Sequence, residues 1–356
     1  MPAEPVHPFR HHGRTGEMIR LALVNLGLNI ATLSFWRFWG RTRVRRLLWG
    51  GSSAWGDPVE YTGTGRELFK GFLLALVVIY LPLVGLYGWA QMLVAAADLR
   101  GGLILAGLYP LTVFLIAAGS YRARRYQLSR TVWRGIRGGQ TGSAIGYALR
   151  GMAVWLLVPL SLGWALPWGE MMLARYRLGH TTFGDRPFTC DAGTKGLYGW
   201  MALMWVCGVA YLVVVGTLGA VVSSIPAEWG IDPQVAGGLY AIGLAIGALL
   251  VLVLPWAGYR AAAYTNLATG TAFEGHRFAA GVTTWPLIRL ALGNLLISLL
   301  SLGILRPWAA VRIFRFGCGV ITIDGVPDFA AIHQTADTGP ASGEGLISVL
   351  DGAGEF

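Results

Sequence analysis

Ser161-Leu162-Gly163-Trp164-Ala165-Leu166-Pro167-Trp168-Gly169 stands near the middle of the chain, and the same peptide returns on either side of it. Upstream it reads Thr32-Leu33-Ser34-Phe35-Trp36-Arg37-Phe38-Trp39-Gly40, and downstream Ser301-Leu302-Gly303-Ile304-Leu305-Arg306-Pro307-Trp308-Ala309. The outer copies agree further back, where Arg20-Leu21-Ala22-Leu23-Val24-Asn25 matches Arg289-Leu290-Ala291-Leu292-Gly293-Asn294. Internal repeats describe how a chain is built before they describe what it does.

Composition places the repeats in a membrane. Only 13% of residues are charged and mean hydropathy is +0.55, against roughly 25% charged in a soluble domain. Residues 72–97, 103–120, 198–222 and 235–258 approach the roughly 20 apolar residues that cross a bilayer. Lipid satisfies no backbone donor, so these segments are expected to be helices. The net charge of +10 is almost all arginine, with lysine only at Lys70 and Lys195. Because the arginines sit beside apolar spans, they read as inner-face markers and contacts for anionic head groups rather than as a nucleic-acid surface. Cys190, Cys207 and Cys318 form no CxxC pair and suggest no disulfide framework.

Each copy continues into a basic, aromatic helix end. Trp39 leads to Arg43 and Arg46, Trp168 to Arg175, Trp256 to Arg260, and Trp308 to Arg312 and Arg315. A further copy, Tyr121-Arg122-Ala123-Arg124-Arg125-Tyr126, lacks the tryptophan. Beyond each end comes an aromatic, glycine-containing segment, such as Phe183-Gly184-Asp185-Arg186 or Phe273-Glu274-Gly275-His276. These are hairpin turn signals between β-favouring residues. The unit is therefore a membrane helix, an Arg/Tyr helix end and a short β-hairpin in water.

Sidedness then constrains the topology. If all five arginine clusters are cytoplasmic, the one apolar stretch between the second and third, residues 152–168, must enter and leave by the same face. Seventeen residues split into two arms reach only about half a bilayer each at ~1.5 Å per residue. Pro159, Ser161 and Gly163 supply the break. The expected fold is all-α and polytopic, with four full spans, three re-entrant helical hairpins and short cytoplasmic β-hairpins.

The ensemble Asn25…Thr32-Leu33…Trp39-Gly40-Arg41…Arg45-Arg46 and Ser301-Leu302-Gly303…Pro307-Trp308-Ala309…Arg312…Arg315-Phe316 resembles the repeated signature of the YjgN-like family, bacterial inner-membrane proteins grouped as a domain of unknown function. The likeness runs from about Met18 to Phe329. It departs in the first copy, where Ser34, Phe38 and Leu47 replace the glycine, proline and tyrosine, and in the second, where Val154 stands for the asparagine. The resemblance implies a membrane location and carries no activity.

Catalysis has little material. His7, His11 and His12 lie in a Pro-containing N-terminal arm, and no GxSxG, HExxH or Walker loop occurs. No enzyme, metal or cofactor is expected. Glu170 reads as an interfacial salt-bridge partner for an arginine such as Arg43 or Arg312, or as an ion site facing a cavity. A ligand or lipid head group is expected at Arg43, Arg46, Arg122, Arg125, Arg175, Arg260, Arg312 and Arg315, which guanidinium geometry suits. Asn25, Asn29, Asn294 and Ser298 are the candidate lining of a polar pathway between broken half-helices. Two functions follow: a transporter or channel for a small anionic solute, or a non-transporting scaffold or lipid-binding protein with a cytoplasmic β-layer. Expected partners are the bilayer and its anionic phospholipids, not nucleic acid; self-association is left open. Residues 1–16 read as a flexible polar arm, 17–145, 146–285 and 286–329 as two membrane repeats and a final half, and 330–356 as a disordered tail. The N-terminus is expected in the cytoplasm, beneath a bacterial inner membrane.

Overall fold

The computed structural model describes residues 5–13, 15–224, 232–335 and 339–340. Strands β1 (Pro5–Val6) and β2 (Phe9–His11) open it. Helices α1 (Thr15–Ala31) and α2 (Arg37–Gly50) lead to β3 (Ser52–Ala54) and β4 (Asp57–Tyr61). A rod of α3 (Gly65–Ala75), a π-helical stretch (Leu76–Tyr80) and α4 (Leu81–Ala95) runs out, and α5 (Leu99–Ser129) returns to β5 (Thr131–Trp133) and β6 (Ile136–Gln140). The pattern then repeats as α6 (Ala144–Leu160), α7 (Leu166–Gly179), β7 (Thr181–Phe183), β8 (Arg186–Cys190), α8 (Leu197–Ser223), α9 (Pro233–Thr269), β9 (Thr271–Phe273) and β10 (His276–Ala280). A last half-unit adds α10 (Thr284–Leu300), α11 (Arg306–Val320) and β11 (Ile321–Asp324).

The three quoted peptides form one turn three times. A leucine enters left-handed space at Leu33, Leu162 and Leu302 (φ 49°, 50° and 50°), and Ser34, Gly163 or Gly303 follows at φ 70°, 90° or 82°. Glycine holds that conformation without steric cost, which accounts for two of the three. The second left-handed residue donates its N–H back to Asn29, Val158 or Ser298 at 2.6, 2.7 and 2.7 Å, closing the first helix as a Schellman-type bond does. The hydroxyl of Thr32, Ser161 or Ser301 accepts from the backbone N–H of Trp36, Ala165 or Leu305 at 2.9, 2.8 and 3.1 Å, which starts the second helix. The chain therefore reverses as three helical hairpins, α1–α2, α6–α7 and α10–α11.

The all-α expectation is wrong. The strands join in one 11-stranded antiparallel sheet, ordered β1-β11-β10-β9-β8-β7-β6-β5-β4-β3-β2. Each longer strand is shared: the first residues of β4 pair with β3 (Ala54↔Asp57), and its last with β5 (Tyr61↔Thr131). Strands β6, β8 and β10 do the same with the next unit. The N-terminus completes the set, for Val6 pairs with Ile323 of β11 and Phe9 with Ala54 of β3. Only His7 and Pro8 separate β1 from β2, so the sheet curls until its edges meet.

Two further expectations change with it. Residues 5–11 are not a flexible arm but the strand pair that joins the ends of the sheet; residues 1–4 lie outside the described residues. The first residues after β11 are also placed. Phe329–Ala331 form a 3-10 turn, and His333 and Asp185 bind each other's backbone (3.0 Å each way, once through the Asp185 side chain). Residues 336–338 and 341–356 of the expected disordered tail lie outside the described residues.

Among the described residues, four helical segments are long and apolar enough to cross a membrane: Gly65–Ala95, Leu99–Ser129, Leu197–Ser223 and Gln234–Thr269. All hairpins belong to one sheet and hence lie at one end of these helices. The three helical hairpins leave that end and come back to it.

Candidate functional site

The joint between helix and sheet aims the inner side chains. Ser52, Thr131, Thr181 and Thr271, first residues of their strands, donate their hydroxyls to carbonyls four residues back, at Leu48, Gln127, Arg177 and Leu267 (2.6 to 2.9 Å). This bond fixes how far each strand is rotated about its helix, and directly opposed residues share a face. Tyr61 with Thr131, Gln140 with Thr181 and Cys190 with Thr271 thus form the inner layer nearest the helices. Burial follows the strand period of two: Glu60, Thr189 and Arg277 are exposed outside, whereas Tyr61, Gln140 and Phe273 are buried inside.

A second inner layer is aromatic. Trp133 lies 5.8 Å from Trp55 and 5.6 Å from Phe183, and Phe273 stacks on Phe188 at 4.5 Å. Phe329, from the segment after β11, closes on Trp55 and Trp133 at 4.7 and 4.8 Å. Gln334 accepts from the Arg137 backbone at 2.7 Å. The end of the ring away from the helices is thereby filled with rings and crossed by the C-terminal strap.

Toward the helices the interior opens. A cavity of about 720 Å³ lies between the sheet and the ends of α5, α7, α9, α10 and α11. Its walls are almost wholly apolar, with Phe9, Phe188, Phe278, Leu287, Leu290 and Phe316 prominent. That size falls in the roughly 300–1,000 Å³ range of ligand pockets. Arg124 on α5 and Asn294 on α10 are the main polar interruptions.

The arginines read from the sequence do not form one ring. Arg43, Arg46, Arg122, Arg175 and Arg315 are exposed. Arg43 covers the Trp36 ring at 4.8 Å, while Arg46, Arg175 and Arg315 donate to the carbonyls of Gly63, Ala192 and Gly13 at 2.9, 2.5 and 3.1 Å. Arg125, Arg260 and Arg312 are half-buried. Arg260 makes the Glu170 ion pair at 2.5 Å, so Glu170 is a salt-bridge residue whose partner is neither Arg43 nor Arg312; Tyr259 donates to its other oxygen at 2.8 Å. The proposed pathway residues also separate. Asn294 accepts from Arg312 at 2.9 Å and lines the cavity, whereas Asn25 is buried in the α1–α2 seam, donating to the Gly40 carbonyl and accepting from Trp36 Nε1. Asn29 Oδ1 is buried with no hydrogen-bond partner among the described residues, and Ser298 is half-buried outside the cavity lining.

The inward arginines are the ones between the predicted ones. In the repeat register Arg45 and Arg124 are equivalent, and the matching positions hold Ala174, Ala262 and Phe314. Arg45 is 1% exposed and donates to the Tyr61 hydroxyl at 3.2 Å. The small or apolar residues in the other copies were the available signal that this position faces inward.

A model of a family described as "bacterial protein of unknown function (DUF898)" matches residues 6–349. The chain is a DUF898 protein. The YjgN-like resemblance is borne out by that match. No curated protein and no solved structure matches the chain. The DUF898 match begins at Val6, within the strand pair that closes the sheet.

A pH test probes that closure. His11 on β2 shares a hydrogen bond with Ser52 Oγ at 2.9 Å and sits against Phe314. Burial first, then the charges of Arg315 and His12, hold its imidazole below its ordinary pKa of 6.5. The folded state thus resists protonation. The stabilisation is complete above the unfolded value and is lost as pH falls below it, levelling off beneath the lowered folded value. Protease cleavage of the N-terminal strands should accelerate between pH 7 and pH 5, and His11→Gln should flatten that step.

Proposed function

We propose that this DUF898 protein is an integral membrane protein that holds a lipid-like molecule in the cavity between its helix ends and its ring sheet. The observation carrying this reading is the cavity's lining: a space of about 720 Å³ walled by Phe, Leu and Ile side chains suits an apolar tail, not a hydrated small ion. The aromatic layer and the strap below it leave the sheet's lumen filled, which argues against a water-lined route for anions. The lipid-binding function is therefore preferred to the transporter.

Membrane placement is supported by the hairpin tips. Leu33, Leu162 and Leu302 are 85%, 68% and 90% exposed at the same point of each turn. Three large apolar side chains at three equivalent tips are expected where the surroundings are lipid. The hairpins would then be re-entrant, dipping into the bilayer from the sheet side. Apart from Arg37 and Arg306 beside the hairpin tips and Arg100 at the far end of α5, the arginines of the described residues lie toward the sheet, which by the positive-inside rule makes that side cytoplasmic.

The protein purified in mild detergent is expected to release a near-stoichiometric amphiphile on organic extraction. Proteoliposomes should show background flux of phosphate and sulfate. Measurable flux with no bound amphiphile would reverse the preference.

A further inference from the structure

We infer that Arg124 on the cavity wall, with Arg177 and Gln140 beside it, forms the head-group site for a single-tailed anionic amphiphile, a long-chain carboxylate or phosphomonoester. This rests on the apolar-cavity reading above and adds to it a charge, a place and a ligand class.

Three observations converge on that wall. Arg124 borders the cavity, and its Nε is buried with no hydrogen-bond partner among the described residues. Arg177 on α7 stands close enough for its charge to act on Arg124. The other groups that act on Arg124 are the phenols of Tyr121 and Tyr147, and none of them is a carboxylate. Gln140, 3% exposed, lies opposite the cavity-lining Thr181. Its amide oxygen is buried with no hydrogen-bond partner among the described residues, while its NH2 lies beside the Tyr121 hydroxyl, which donates to the Thr141 carbonyl and can accept from the amide.

Each feature is costly alone. A half-buried cation whose Nε is shut off from water and has no anion keeps part of its desolvation cost, and so does an amide oxygen without a partner. The nearby charge of Arg177 adds repulsion. One anionic head offsets both charges, through charge-assisted bonds from Arg124 and Arg177 and a neutral one from the Gln140 NH2. The tail then has one place to go, along the Phe188, Phe278 and Leu287 side of the same cavity. A neutral lipid would leave both charges uncompensated, and a small hydrophilic anion would leave the apolar wall wet.

The test is native mass spectrometry of the full chain, delipidated and held in nanodiscs of neutral lipid, titrated with palmitate, hexadecyl phosphate, hexadecanol and inorganic phosphate. Palmitate and hexadecyl phosphate are expected to bind at least roughly tenfold more tightly than hexadecanol, the size of one charge-assisted contact. Arg124→Gln should erase that preference and leave hexadecanol unchanged. Arg177→Gln, which leaves the cavity-lining Arg124 in place, should lower it and covers the case in which Arg124→Gln does not fold. Equal binding of hexadecanol and palmitate overturns the head-group site while the apolar cavity stands. Binding of no long-chain compound overturns the cavity reading itself. Inorganic phosphate matching hexadecyl phosphate overturns the amphiphile, leaving an anion site without a tail.

Discussion

Removing residues 1–11 should leave a chain that no longer purifies as a monodisperse membrane protein. The deletion takes away β1 and β2, and with them the pairings Pro5↔Asp324, Val6↔Ile323, Phe9↔Ala54, Arg10↔Ser53 and His11↔Ser52. It also removes the acceptor of the bond from the Trp55 N–H to the Pro8 carbonyl, and fraying at the cut would release that from the His12 N–H to the Gly51 carbonyl, at 2.7 Å each. Strands β3 and β11 then become open edges at the same moment, the condition under which sheets pair with other chains. The cavity loses Phe9 from its wall. The loss should exceed the ~4–5 kcal/mol that marks an exceptional single change, since several mechanisms act together. Size-exclusion chromatography in detergent reads the outcome. A full-length control with Phe9→Ala should remain monodisperse, because it removes one side chain and keeps the backbone pairing. A deletion variant as well behaved as the intact chain would mean the ring does not depend on its N-terminal strands.

Impermeant maleimide should label the helix ends remote from the sheet and spare the sheet in intact cells. In a background lacking Cys190, Cys207 and Cys318, Glu60→Cys and Thr189→Cys lie on the outer faces of β4 and β8. Both should stay protected until the cells are opened. Ala96→Cys and Ser224→Cys, at the far ends of α4 and α8, should label from outside. The contrast should be all or none, because strands of two to five residues are too short to cross a bilayer, which takes roughly nine to eleven per strand. Leu33→Cys, Leu162→Cys and Leu302→Cys test the re-entrant tips and should react from neither side. Labelling of the tips from outside would make α1, α6 and α10 ordinary spans. The arms α2, α7 and α11 would then cross as well and return the chain to the face that carries the sheet.

The turns and helix ends were legible because their signals are local. A Ser or Thr hydroxyl, a leucine and a left-handed residue decide each reversal within six positions, and the same five-residue segment decides it three times. The paired glycines at Gly135 and Gly275, after Arg134 and Glu274 at φ 49° and 50°, marked hairpins for the same reason. The inward arginines were harder. Arg43 and Arg45 differ by two positions on one helix, and only the neighbouring helices settle which of them meets water.

By itself, then, the sequence determined four apolar helices long enough to cross a membrane, three helical reversals, arginine-rich ends and short hairpins. Those properties depend on hydropathy and on backbone conformation over a few residues. The tertiary structure alone decided that the hairpins share one sheet, that residues 5–11 complete it, and that Arg124 rather than Arg122 or Arg125 reaches the cavity. Three-residue strands carry too little pattern to specify a partner. Their pairing is fixed by partners as distant as Pro5 and Asp324, and by ring closure, which no local stretch of sequence encodes.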